Sequence, residues 1–163
     1  MMSKYFELLE SILKFNCEKS LILEIEFDDI FVEKPFDRKV DLSGINGMIL
    51  EVREDEGPFI PHFHLFTKDA RNGSDKKSKK SIHTCIQLNE AVYFDHPGKE
   101  DTLNNTQLKE LDTFLRKRHK NFPQYTSLWE AMSDYWNSLP NSKTKVDFDK
   151  MPDYTNVIRR KQK

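Results

Sequence analysis

The run Pro61-His62-Phe63-His64-Leu65-Phe66-Thr67 is answered further along the chain by a second alternating run, Ser81 to Leu88. In a strand, successive side chains point to opposite faces, so each run has two faces that must be matched separately. The segment between them, Lys68 to Ser81, is rich in Lys, Ser, Gly and Asn and reads as a long hairpin loop, which makes antiparallel pairing the default. If His64 lies opposite His83, then His62 falls opposite Cys85, and Phe63 and Leu65 share the other face with Ile82, Thr84 and Ile86. A slip of one residue splits both apolar sets, so burial favours this register.

Other strands follow the same rule. Leu21, Leu23, Ile25 and Phe27 face one way, and Glu24, Glu26 and Asp28 the other. Met48, Leu50 and Val52 resume the alternation before the acidic turn Glu54-Asp55-Glu56-Gly57-Pro58, and Val92 to Phe94 extends the sheet. Phe36 to Asn46 reads as a connection. A helix is expected over Ser3 to Asn16, where Phe6, Leu9, Ile12 and Leu13 recur at helical spacing behind a Ser3 cap. Asn104 with Gln107 makes a capping box ahead of Leu108, Leu111 and Leu115, and Ser127 with Glu130 makes a second ahead of Trp129, Met132 and Trp136. Pro140 stops that helix.

The expected fold is therefore α+β: an antiparallel sheet of four or five strands, with helices at the N- and C-terminal ends packed on one face. Residues 1–140 form a single domain, and 141–163 an extended tail with a frayed basic end. A chain of 163 residues with twelve Phe, five Tyr and two Trp can bury a core without disulfides or a structural metal. The two cysteines, Cys17 and Cys85, lie far apart in no paired motif. No run approaches the roughly 18 apolar residues of a membrane span, and the Glu-bearing N-terminus is not a secretory segment. A reducing cytoplasm and no membrane partner are the expectations.

His62 and His64 share one strand face, and His83 and Cys85 share another. In the favoured register the four crowd together, a competent ligand set for zinc or a similar transition metal. No carboxylate is assigned to complete the set, and adjacent histidines on a sheet face also serve as plain hydrogen-bonded side chains. Cys85 beside His83 is a weaker candidate for a nucleophile, because a thiolate needs an electropositive setting. Phosphate-binding Gly-rich loops, the Gly-x-Ser-x-Gly elbow and the His-Glu-x-x-His motif are missing from the sequence.

Charge is sorted along the chain. Residues 1–56 hold seven Lys and Arg against fourteen Asp and Glu, and the remainder hold nineteen against thirteen. The acidic face of Glu24, Glu26 and Asp28 suits a basic groove on a protein partner. The basic loop with Lys76, Lys77, Lys79 and Lys80, together with Arg159 and Arg160, points instead to nucleic acid.

The Pro61-His62-Phe63-His64 strand, followed by another strand and a helical end, resembles a family of small uncharacterised bacterial proteins. These carry a Pro-Pro-His-Phe-His signature and are often encoded beside toxin–antitoxin or mobile elements. Ile60 stands where the signature has its first proline. Leu103-Asn104 with Gln107 and Leu111, Trp129-Glu130, Trp136-Asn137 and Met151-Pro152-Asp153-Tyr154 are similar to a pattern in hypothetical proteins of gut bacteria and their phages. The resemblances imply a non-enzymatic interaction factor of a phage or mobile element, an anti-defence or antitoxin-like inhibitor that binds a host or element-encoded protein. Two alternatives stand beside it: a metal-binding protein or metal-dependent enzyme built on His62, His64, His83 and Cys85, and a nucleic-acid-binding accessory protein.

Overall fold

A computed structural model describes residues 36–67, 81–120 and 122–160. The chain divides after Lys34, and all described residues belong to the second unit, Pro35–Lys163. The expected helix over 3–16, the acidic strand over 21–27 and the basic loop over 68–80 lie outside the described residues.

Four antiparallel strands in sequence order, β1 (Phe36–Leu42), β2 (Ile45–Val52), β3 (His62–Thr67) and β4 (His83–Gln87), form one sheet. Two helices follow, α1 (Asn105–Arg116) and α2 (Leu128–Ser138), so the fold is α+β. No helix among the described residues is long and apolar enough to cross a membrane.

β1 corrects the sequence reading, which placed a connection there. Phe36, Val40 and Leu42 are buried on one face, with Arg38 standing where a fourth apolar residue would complete the alternation. Arg38 fits because its guanidinium lies over the rings of Phe122, 4.2 Å away, and Phe36, 5.0 Å away. The β1–β2 turn uses Gly44 at φ +79°, a conformation that costs glycine nothing. α1 grips the same turn: Ser43 donates to the Glu110 carboxylate through its N–H and its hydroxyl, and Gln107 Nε2 donates to Ser43 O at 2.9 Å.

Register makes the β1–β4 faces explicit. Met48, Leu50 and Val52 share a face with Phe63 and Leu65, and with Thr84 and Ile86. The apolar residues of that face join those of α1 and α2 in one core that contains Trp129 and Trp136. The opposite face carries Glu51, His62, His64, Phe66, His83 and Cys85, all buried. Every residue of β3 is buried, so this strand is covered on both sides.

Both helix starts behave as their sequences dictate. Asn104 caps α1 with a reciprocal box to Gln107. Ser127 caps α2 by accepting from Glu130 N–H, but the Glu130 carboxylate reaches Thr126 N–H rather than closing the box on Ser127.

Residues 141–160 form no helix or strand, yet Val146, Tyr154 and Val157 are buried. Tyr154 donates its hydroxyl to Gln87 O at 2.8 Å and lies 3.1 Å from Leu88 O, and its N–H bonds Asp112 at 3.0 Å. Val92 to Phe94 adds only isolated bridges, Tyr93 to Ile86 and Val92 to Ile158. Tyr154→Ala is expected to lower the free energy of unfolding by about 3–5 kcal/mol, as for other large buried rings. Tyr154→Phe should lower it by only about 1 kcal/mol, the worth of a hydrogen bond. Urea unfolding followed by fluorescence separates the two, and a Tyr154→Ala protein as stable as the parent would show that the segment does not hold the fold.

Candidate functional site

The pleat of β3 sends His62 and His64 to the face opposite Phe63 and Leu65. β4 supplies His83 and Cys85 to that face, as expected from sequence. The register differs from the expected one by two residues: Cys85 lies opposite His64, Phe66 opposite His83 and Gln87 opposite His62. A two-residue shift keeps every side chain on its face, so apolar matching cannot choose between the two registers. Thr67 N–H bonds Ile82 O at 2.9 Å, and Ile82 N–H bonds Thr67 Oγ1 at 3.2 Å, which anchors the observed one. His64 and His83 still meet diagonally, Nδ1 to Nε2 at 3.2 Å.

Two residues that sequence reasoning missed complete the cluster. Glu56 ends the short 3-10 turn Glu54–Glu56 after β2, and its carboxylate is buried against the histidines. His64 Nε2 lies 2.6 Å from Glu56 Oε2, His62 Nε2 2.8 Å from the same oxygen, and His96 Nε2 3.1 Å from Oε1. The sequence reading assigned no carboxylate to complete the histidine set, and Glu56 supplies one. Glu56 sat in the acidic turn just before β3, but nothing in that turn distinguishes it from its exposed neighbour Asp55. His96 comes from the turn His96-Pro97-Gly98-Lys99, closed by Lys99 N–H to His96 O at 2.9 Å with Gly98 at φ +74°.

The surroundings fix the cluster's geometry. Phe94 stacks on His62 with ring centroids 3.9 Å apart and planes 10° apart, and Trp136 of α2 flanks the same imidazole at 5.5 Å. A Cβ on Gly57 would come within 3.0 Å of Ser142 N, so the chain at 141–142 presses on the turn that carries Glu56. Tyr135 of α2 donates to Glu54 at 3.3 Å.

The candidate metal residues do not form one set. His64 separates two. Its Nδ1 side faces His83 and, at 3.2 Å, the Cys85 sulfur, while its Nε2 side faces Glu56 and His96. Within each set the ligand atoms lie within 4.8 Å of one another. His62 adjoins the second set through Glu56.

Burial governs the electrostatics. Burial alone would raise the Glu56 carboxyl, and the imidazoles of His62 and His64 override it, holding it well below the usual carboxylate range. Burial lowers His64 to about 4, against the opposing pull of Glu56, and lowers His83 to about 3. Both imidazoles are therefore neutral at pH 7. Burial pushes the Cys85 thiol up to about 12. Cys85, His64 and Glu56 do stand in the order nucleophile, base and orienting acid, but a thiol with no exposed surface and a raised pKa is a hydrogen-bonding partner, not a nucleophile. Lys99 Nζ lies 3.3 Å from His96 Nε2, and burial, then the Arg53 guanidinium, push it below its ordinary value.

The remaining sequence candidates are not part of this cluster. Arg159 pairs with Asp95 at 2.7 Å and Arg160 with Glu90 at 2.8 Å, so both proposed nucleic-acid contacts carry carboxylate partners. Glu24, Glu26, Asp28, Lys76, Lys77, Lys79 and Lys80 lie outside the described residues. No family model matches the chain, nor does any curated protein or solved structure.

His83 has an ordinary pKa near 6.5 when unfolded and about 3 when folded, so below pH 6.5 the unfolded chain takes the proton first. The stability that neutral His83 contributes is complete above that value and is lost progressively as pH falls toward 3. His64 and Glu56 act in the same direction. With chelator present, urea midpoints are expected to fall between pH 7 and pH 4, and less steeply in His83→Gln. An equal slope in the variant would show that His83 does not stay neutral in the folded protein.

Proposed function

We propose that the protein binds one divalent transition-metal ion through Glu56, His64 and His96, with His62 beside the carboxylate. One observation carries this reading. His62 Nδ1–H donates to Ile60 O at 2.7 Å, which leaves its fully buried Nε2 facing Glu56 Oε2 at 2.8 Å with no aligned hydrogen bond. An imidazole nitrogen this close to a carboxylate oxygen needs a positive charge between or beside them, supplied by a shared metal ion or by a second proton on the ring, and a buried polar atom left unpaired is costly.

His96 adds a second imidazole beside the same carboxylate: its Nε2 lies 3.1 Å from Glu56 Oε1 and 3.3 Å from Lys99 Nζ, and its buried Nδ1 has no hydrogen-bond partner among the described residues. Two ligand atoms each about 2.1 Å from an ion lie roughly 3.0–3.4 Å apart for octahedral to tetrahedral angles. The Glu56 to His96 separation of 3.1 Å falls in that range, and the shorter contact to His64 needs a small side-chain adjustment.

Two imidazoles and a carboxylate are the donors of catalytic zinc and of non-haem iron(II), and such sets leave coordination positions open. His64 can present Nε2 to the ion by placing its proton on Nδ1, where neutral His83 at 3.2 Å accepts it. His83 and Cys85 then act as the supporting layer that orients His64. This reading favours the metal alternative over the interaction factor, whose acidic face at Glu24, Glu26 and Asp28 remains a separate proposal.

Titration of chelator-stripped protein with zinc should show one tight equivalent, and bound zinc should raise the thermal midpoint. Glu56→Gln should weaken zinc binding by more than the roughly 10–100-fold that a lost supporting partner costs, and His83→Ala by about that much. Zinc uptake indifferent to Glu56→Gln would end this reading.

A further inference from the structure

The turn that carries His96 also carries Lys99 at its other end, and the two side chains converge on one nitrogen. Lys99 Nζ is 3.3 Å from His96 Nε2, which is itself 3.1 Å from Glu56 Oε1. Lys99 forms no ion pair with a carboxylate among the described residues. Its neighbour Arg53 is already committed, Nε to Glu51 Oε2 at 2.8 Å.

Charge accounting at the centre is therefore one-sided. A divalent ion held by one carboxylate and neutral imidazoles carries a net charge of about +1, the Lys99 ammonium adds another, and the Arg53–Glu51 pair adds none. Two cations this close repel in a partly desolvated site unless an anion lies between them. His96 and Lys99 are partly exposed, while His62, His64 and Cys85 are buried, so a ligand approaches from the turn.

Resting on the metal reading above, we propose that the loaded centre binds a phosphate or phosphoryl dianion, one oxygen on the metal ion and another on Lys99. A dianion balances the excess charge, whereas a carboxylate leaves half of it. Lysine serves phosphate as a point-charge donor, and the flexible stem of Lys99 lets Nζ move from His96 to the incoming oxygen.

The test is calorimetric titration of the zinc-loaded full chain with inorganic phosphate, kept below the concentration at which zinc phosphate precipitates, with acetate in parallel. Phosphate is expected to bind and acetate to bind at least ten-fold more weakly. Lys99→Met should lose at least ten-fold in phosphate affinity while still taking up one equivalent of zinc, which also reports its folding, and Lys99→Arg should recover most of the loss. Zinc-loaded protein that ignores phosphate, binds acetate as well, or binds phosphate equally with Lys99→Met overturns the proposal and leaves the metal reading standing. Protein that takes up no zinc overturns both.

Discussion

The burial of β3 on both faces is the constraint from which the rest of the structure follows. On one side the strand offers Phe63 and Leu65 to the helical core, which asks only for apolar neighbours of the right volume. On the other it offers two imidazoles with no exposed surface. Buried polar atoms need partners, and a strand cannot supply them from its own face. Glu56, His83, Cys85 and the Ile60 carbonyl answer that need, from a turn, a neighbouring strand and the strand's own approach.

A buried carboxylate is the costliest member of such a cluster, and much of the surrounding chain holds it in place. Glu56 lies in a one-turn helix, braced from behind by the close passage of residues 141–142 over Gly57 and by α2 through Tyr135 and Trp136. The segment after α2 thus closes the core through Tyr154 and supports the turn under the site through its backbone. Phe94, stacked on His62, keeps that imidazole from rotating toward other partners. Side chains held this way present their donor atoms without much further loss of freedom on binding a ligand.

The cluster is graded from inside to outside. Cys85, His64 and His62 lie deepest with no exposed surface, then Glu56 and His83, still buried, and last His96 and Lys99 at the partly exposed turn. The strand side chains of the cluster are dry, and only the two from the turn, His96 and Lys99, reach solvent. The same grading disposes of a cysteine nucleophile: the residue in the right chemical order is in the wrong place for a substrate.

Sequence by itself determined which side chains share a face. Period-two alternation placed His62, His64, His83 and Cys85 together and Phe63, Leu65, Thr84 and Ile86 together, because the pleat is a property of every strand. Local rules also gave the Asn104 cap of α1 and the burial of Trp129 and Trp136, since capping and helical spacing involve residues a turn or two apart. Tertiary structure decided the rest. It moved the β3–β4 register by two residues, a change that face matching does not resolve. It made a strand of 36–42 by pairing it with β2, and accommodated Arg38 on the apolar face by laying it over Phe122, a residue distant in sequence. It also brought Glu56 and His96 to the histidines, because a carboxylate in an acidic turn becomes a site residue only when the chain around it removes it from water.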